Sequence, residues 1–129
     1  MIKGRAMPTT IIPSYRAKVS DGKSVKVVAD QDVEVSKFYE IQGFLGAAFQ
    51  EAKEGDDVVL NIEQGVYETD QLGDGTFEVG TPIYFADGEF NESDGRYAGI
   101  VTQEKDEDGV ILFLLAPQTP SEAPKGGNA

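Results

Sequence analysis

The side chains in this chain that are able to do chemistry are carboxylates and little else. Its 129 residues hold 23 Asp and Glu and 11 Lys and Arg, with no His, Cys or Trp. Without Cys there is no disulfide, no thiolate nucleophile and no zinc–thiolate site. Without His, the commonest general base near neutral pH and the commonest transition-metal ligand are both missing. Carboxylate-only glycoside hydrolysis needs two acids about 5–10 Å apart in a cleft. With 23 acids some pair meets that distance by chance, so no pair stands out. The composition therefore predicts a protein that is not an enzyme, with no catalytic residue, no metal ligand set and no cofactor.

Two stretches come close to ligand-binding motifs and depart from them in decisive ways. Gly22-Lys23-Ser24 matches the end of a phosphate-binding loop, but the glycine required five residues earlier is Ala17. That motif also needs a helix after the loop, so that the helix N-terminus faces the phosphates, and the flanks here read as two strands of a hairpin. Glu104-Lys105-Asp106-Glu107-Asp108-Gly109 spaces its acids as a calcium loop does, yet the twelfth position is Leu115 where a bidentate Glu is needed. A solvated turn is the favoured reading of that loop. Tyr39, Tyr67, Tyr84 and Tyr97 could line a sugar or peptide groove, but aromatics within strands are more often half-buried packing residues.

The elements that carry these residues read as short strands between turn signals. Alternation marks Tyr15–Val19 and Ser24–Val28, joined by the turn dipeptide Asp21-Gly22. Val33–Val35 and Phe38–Ile41 are strand-like, and Phe44 to Lys53 favours strand over helix because Gly43 and Gly46 interrupt its helical spacing. Val58–Ile62, Val66–Thr69, Thr76–Val79, Ile83–Phe85, Tyr97–Val101 and Val110–Leu115 complete the set, with a turn-rich stretch from Ala86 to Arg96. About ten short strands at regular spacing predict an all-β fold, a small β-barrel or β-sandwich. Val110–Leu115 is apolar on both faces, so it belongs at the centre of a sheet, or between two layers or two subunits. The domain reading is an extended N-terminal arm over 1–14, a β-body over 15–116 and a Pro/Gly-rich flexible tail over 117–129. In the arm, Pro8 and Pro13 flank the β-branched run Thr9–Ile12, which fits an edge strand.

Charge is divided along the chain. Residues 1–26 carry six bases against one acid, net +5, and the remainder carries five bases against 22 acids, net −17, within a total of −12. An acidic body repels phosphates, so nucleic acid is not an expected direct partner. No apolar stretch approaches the roughly 20 residues of a membrane helix, and Met1 to Met7 has no signal-type apolar run. A soluble, non-secreted protein without a membrane partner is expected.

The order of the motifs is informative. Asp21-Gly22-Lys23 precedes the β-branched strand Val25–Val28, then comes the small-residue strand Gly43–Ala48 and the Gly55-Asp56 turn before Val58–Ile62. Gly65-Val66-Tyr67-Glu68, Gly80-Thr81-Pro82-Ile83-Tyr84-Phe85, Gly99-Ile100-Val101 and the closing apolar strand follow. Over residues 15–116 this succession resembles the capsid cement, or head decoration, proteins of tailed bacteriophages, a small β-rich family once labelled recombinase-like. The resemblance implies a virion structural protein, made in the bacterial host cytoplasm and placed on the capsid exterior. It also implies binding to the major capsid protein, self-association as a homotrimer, and stabilisation of the mature head by bridging capsomers. The arm and first strand are the expected capsid contact, with Ile11, Ile12 and Tyr15 as apolar anchors and Lys3, Arg5, Arg16 and Lys18 for charge complementarity. A tail or baseplate component, or a carbohydrate-binding β-module, is the alternative.

Overall fold

Alternating apolar side chains build nine strands in the computed structural model, which describes residues 17–120. The strands are β1 (Ser24–Val28), β2 (Phe38–Ile41), β3 (Phe44–Ala48), β4 (Asp57–Asn61), β5 (Val66–Thr69), β6 (Pro82–Ala86), β7 (Glu89–Asn91), β8 (Arg96–Gln103) and β9 (Ile111–Leu115). They form a four-stranded sheet of order β1-β4-β3-β2 and a five-stranded sheet of order β5-β9-β8-β6-β7. Every pairing between these strands is antiparallel, and a single parallel bridge joins Phe90 of β7 to Leu72. The all-β expectation is met, in two packed sheets. Among the described residues no helix is long and apolar enough to cross a membrane.

Two hairpins are set by turn chemistry. Gln42 and Gly43 between β2 and β3 have φ of 51° and 91°, and Asp87 and Gly88 between β6 and β7 have 53° and 82°. Two consecutive positive φ values make the two-residue turn whose twist matches the flanking strands.

The small sheet buries apolar residues on both faces. Phe38, Leu45 and Ala47 point toward the large sheet and join Phe77, Phe85, Phe90, Val101, Ile111, Phe113 and Leu115 in the main core. Phe38 is the knob of that interface, with ring centroids 5.5 Å from Tyr67, 5.3 Å from Phe90 and 5.4 Å from Phe113. Such aromatic pairs contribute roughly 0.5–1.5 kcal/mol each beyond area burial. The opposite face gathers Val27, Ile41, Ala48, Val58 and Leu60 with Ala29 and Val33 from the loop after β1.

Several elements differ from the sequence expectation. Lys18–Ser20 form no strand and are exposed, while Tyr15 and Arg16 lie outside the described residues. The expected hairpin partner of Ser24–Val28 is replaced by β4, where Val25 meets Leu60 and Val27 meets Val58. Burial of these two valines outweighs the local turn signal. Val33–Val35 reduces to a single bridge, Val33 to Ala52. Thr76–Val79 is irregular: Phe77 is fully buried, Val79 is exposed, and the Phe77 backbone at φ 53° donates its N–H to Glu92 Oε2 at 2.8 Å. One buried ring produced that apparent alternation. Conversely, β7 lies inside the turn-rich stretch from Ala86 to Arg96, where no strand was expected.

Candidate docking surface

The large sheet presents its outer face with almost no charge. Its register aligns Val66 of β5 with Leu114 of β9, Leu114 with Ile100 of β8, and Ile100 with Pro82 of β6. These four apolar residues form one row across four strands. Val66 is 59% exposed, Leu114 44% and Ile100 41%, and Pro82 is exposed as well. A second pair, Tyr84 and Tyr97, lies beside the row with ring centroids 5.8 Å apart. Outward positions of the three interior strands carry Leu112, Leu114, Tyr97, Ile100, Thr102, Pro82, Tyr84 and Ala86, none of them charged. Charge returns only at the edge strands, with Glu68 and Glu89. In a chain with 26% charged residues, a contiguous uncharged apolar face marks an interaction surface, and exposed tyrosines are typical of such surfaces.

A glycine fixes this face. Gly99 sits at φ 151°, and a Cβ there would strike the Leu114 carbonyl oxygen. The close approach of β8 and β9 at this point brings Ile100 and Leu114 side by side. The sequence signal for the face was the two-faced apolar strand Val110–Leu115. β9 does lie inside the large sheet, with Ile111, Phe113 and Leu115 buried on one side and Leu114 turned to solvent on the other. Val66 and Pro82 were not identified as functional, because only the register joins them to Leu114.

Arg96 occupies the seam between the sheets, its side chain only 7% exposed and paired with Glu40 at 3.3 Å. It donates also to the carbonyls of Gly43 and Thr119 and to Gln118 Oε1 at 3.2 Å. The guanidinium thus ties β2, the β2–β3 turn and residues 118–119 to β8. A buried arginine tolerates this position because nearly all its donors are used.

Of the expected capsid-binding residues, only Lys18 lies within the described residues. It is exposed and pairs with Asp21 at 3.1 Å. Lys3, Arg5, Ile11, Ile12, Tyr15 and Arg16 lie outside them. Lys23 of the incomplete phosphate motif faces Glu63 at 3.6 Å, and Ser24 opens a strand where the motif requires a helix. In the acidic loop, Asp106 Oδ1 accepts from the N–H groups of Asp108 and Val110 at 2.9 and 3.0 Å. That carboxylate closes a turn. Among the described residues no three acids gather as a metal site would require.

The body is thus an antiparallel pair of sheets with an uncharged apolar face on one sheet and polar side chains bonded across the seam. A family model described as phage cement protein matches residues 19–116, and the chain belongs to that family: it is a phage capsid-associated structural protein. The crystal structure of the head fiber gp8.5 N base of bacteriophage phi29 is similar, with 15% sequence identity and a TM-score of 0.48 over 78% of this chain and 98% of that one. No curated protein sequence matches the chain.

Proposed function

We propose that this protein binds the outer surface of the phage capsid through the major capsid protein and stabilises the mature head by bridging neighbouring capsomers as a homotrimer, without catalytic activity. Membership of the cement family over residues 19–116 is the observation that carries this reading. The uncharged row Val66, Leu114, Ile100 and Pro82 supplies an apolar underside for the capsid. The basic first segment, with Lys3, Arg5, Arg16 and Lys18, supplies charge that an otherwise acidic body lacks. Repetition over a symmetric lattice makes many modest contacts strong together.

Deletion of residues 1–13 leaves all nine strands, which begin at Ser24. Pelleting with mature heads tests the arm: the truncated protein is expected to stay folded and to lose capsid coating. Saturation of heads at full affinity by the truncated protein would remove the arm from the contact. Solution mass of the full chain tests the trimer separately.

A further inference from the structure

The two sheets end in four edge strands, β1, β2, β5 and β7, and they are not treated alike. On β2, the Gln71 carboxamide bonds both backbone groups of Phe38. On β7, Phe90 N–H donates to the Gln71 carbonyl, and the Phe90 carbonyl accepts from Gly73 N–H. On β1, Val28 N–H donates to Gln42 Oε1 at 2.7 Å, and Lys26 is tied to Asp57 at 3.7 Å. β5 is different. The Leu115 N–H donates to the Gly65 carbonyl, so the register makes Tyr67 and Thr69 the hydrogen-bonded positions toward β9. The N–H and C=O of Val66 and Glu68 therefore point away from the sheet, and among the described residues nothing bonds them.

A groove of about 630 Å³ lies beside this edge, within the roughly 300–1,000 Å³ of ligand clefts. The whole of β5 lines it, together with Val35, Ala47 and Phe49. Val35 and Phe49 are each more than half exposed. A bare ladder edge beside exposed apolar side chains is the geometry that receives an added strand.

The residues of β5 state what that strand must carry. Tyr67 packs against the main core and Thr69 is buried, whereas Val66 and Glu68 are exposed on the outer face. A strand laid against β5 sets the side chain opposite Tyr67 toward the groove and those opposite Val66 and Glu68 onto the outer face. The first meets Val35 and Phe49, so it is apolar. The one opposite Val66 extends the row through Leu114, Ile100 and Pro82, so it is apolar too. The one opposite Glu68 is a cation, since Glu68 has no ion-pair partner among the described residues and residues 27–129 hold five bases against 22 acids. A second copy would bring an equally acidic body to this edge, which like charge disfavours.

We infer that an extended segment of a capsid shell protein, with a cation and two apolar side chains opposite Glu68, Tyr67 and Val66, adds to β5 as a further strand. The apolar face and this edge then make one contact that turns the corner at Val66. The inference rests on the capsid-binding reading above and names how the capsid is held.

Amide hydrogen exchange of the full chain, free and bound to mature heads that lack it, tests the added strand. On heads, the Val66 and Glu68 amides are expected to exchange at least about tenfold more slowly than in the free chain. Glu68→Pro removes the outward N–H and no bond to β9, a change that edge strands tolerate. Its affinity for heads should fall at least about tenfold while Phe113 stays protected. Glu68→Gln keeps the N–H, loses only the charge, and should lose less affinity. Heads that bind the full chain and leave Val66 and Glu68 exchange unchanged would overturn the inference while capsid binding stands. So would full affinity in Glu68→Pro, or protection of both amides already present in the free chain, which would give the edge to this chain or a second copy. Heads that bind none of the full chain would overturn both readings. If Glu68→Pro loses Phe113 protection, the exchange comparison on the unsubstituted chain decides alone.

Discussion

Gln118 sets its carboxamide against the backbone of Leu45 as a strand residue would. Its Oε1 accepts from Leu45 N–H at 2.9 Å and its Nε2 donates to the Leu45 carbonyl at 2.8 Å. β4 pairs with β3 only at Ala47 and Ala48, so the amide side chain occupies the ladder position that β4 leaves empty. Gln71 repeats the device at the outer edge of β2, where Oε1 accepts from Phe38 N–H at 2.7 Å and Nε2 donates to the Phe38 carbonyl at 3.0 Å. Two glutamines thereby satisfy four backbone groups and join the sheets at their seam.

Gln118→Ala removes both bonds to Leu45 and one partner of Arg96. The expected loss is about 1–3 kcal/mol of stability by urea unfolding, with faster exchange of the Leu45 amide. Gln71→Ala is expected to act likewise at Phe38. An unchanged Leu45 exchange rate in the first variant would show that the amide is not a ladder substitute.

Gly99→Ala places a Cβ against the Leu114 carbonyl at a φ that side-chain-bearing residues rarely adopt. β8 and β9 must separate to admit it. A loss of more than about 2 kcal/mol is expected, read as a lowered melting temperature. Substitution at Gly109, where a Cβ meets nothing within 4 Å, carries φ strain alone and should cost less.

Tyr67 gives the fold a pH dependence. Its hydroxyl lies 2.6 Å from the Glu63 carbonyl, to which it donates, and 3.1 Å from Asn61 Oδ1. Burial first, and then the negative charge of Glu63, hold its pKa above the ordinary tyrosine value, which is near 10. A folded pKa above the unfolded one means that this contribution is fully present below about pH 10 and is lost as pH rises through the folded pKa. Tyr67→Phe should cost about 1 kcal/mol at neutral pH. The gap between the two proteins should then narrow above about pH 10, measured by denaturant unfolding across that range.

Much of the fold was legible because short strands with turn residues between them admit few alternatives. The turn-rich stretch from Ala86 holds the Asp87-Gly88 turn between β6 and β7, and the stretch from Phe44 to Lys53 is strand over Phe44–Ala48, with Gly46 packed so closely that a Cβ would lie 2.5 Å from the Asn61 carbonyl. β7 escaped notice because Glu89-Phe90-Asn91 holds one apolar residue, and its partners are the β6 hairpin and a single parallel bridge from Phe90 to the distant Leu72. Phe77 imitated a strand because a single buried ring between polar neighbours looks like alternation. The docking face was half legible. The two-faced character of Val110–Leu115 announced it, but the row through Val66, Ile100 and Pro82 exists only once the register is set, and register is a long-range property.

The face can be tested without disturbing the core. Ile100→Lys with Leu114→Lys puts two charges at the middle of the row, at positions that already reach solvent and lie outside the buried core. Stability should fall by less than about 1 kcal/mol. Affinity for mature heads should fall at least about tenfold, since uncompensated charges then meet an apolar contact. Wild-type capsid affinity in this variant would move the contact elsewhere on the body.

The most direct test of the capsid role is the thermal rupture of mature heads that lack the protein, measured with and without the purified full chain. The protein is expected to pellet with the heads in a saturable, stoichiometric amount and to raise the temperature at which they release DNA. Heads that bind none of it, or that rupture at the same temperature when fully coated, would contradict a cementing function.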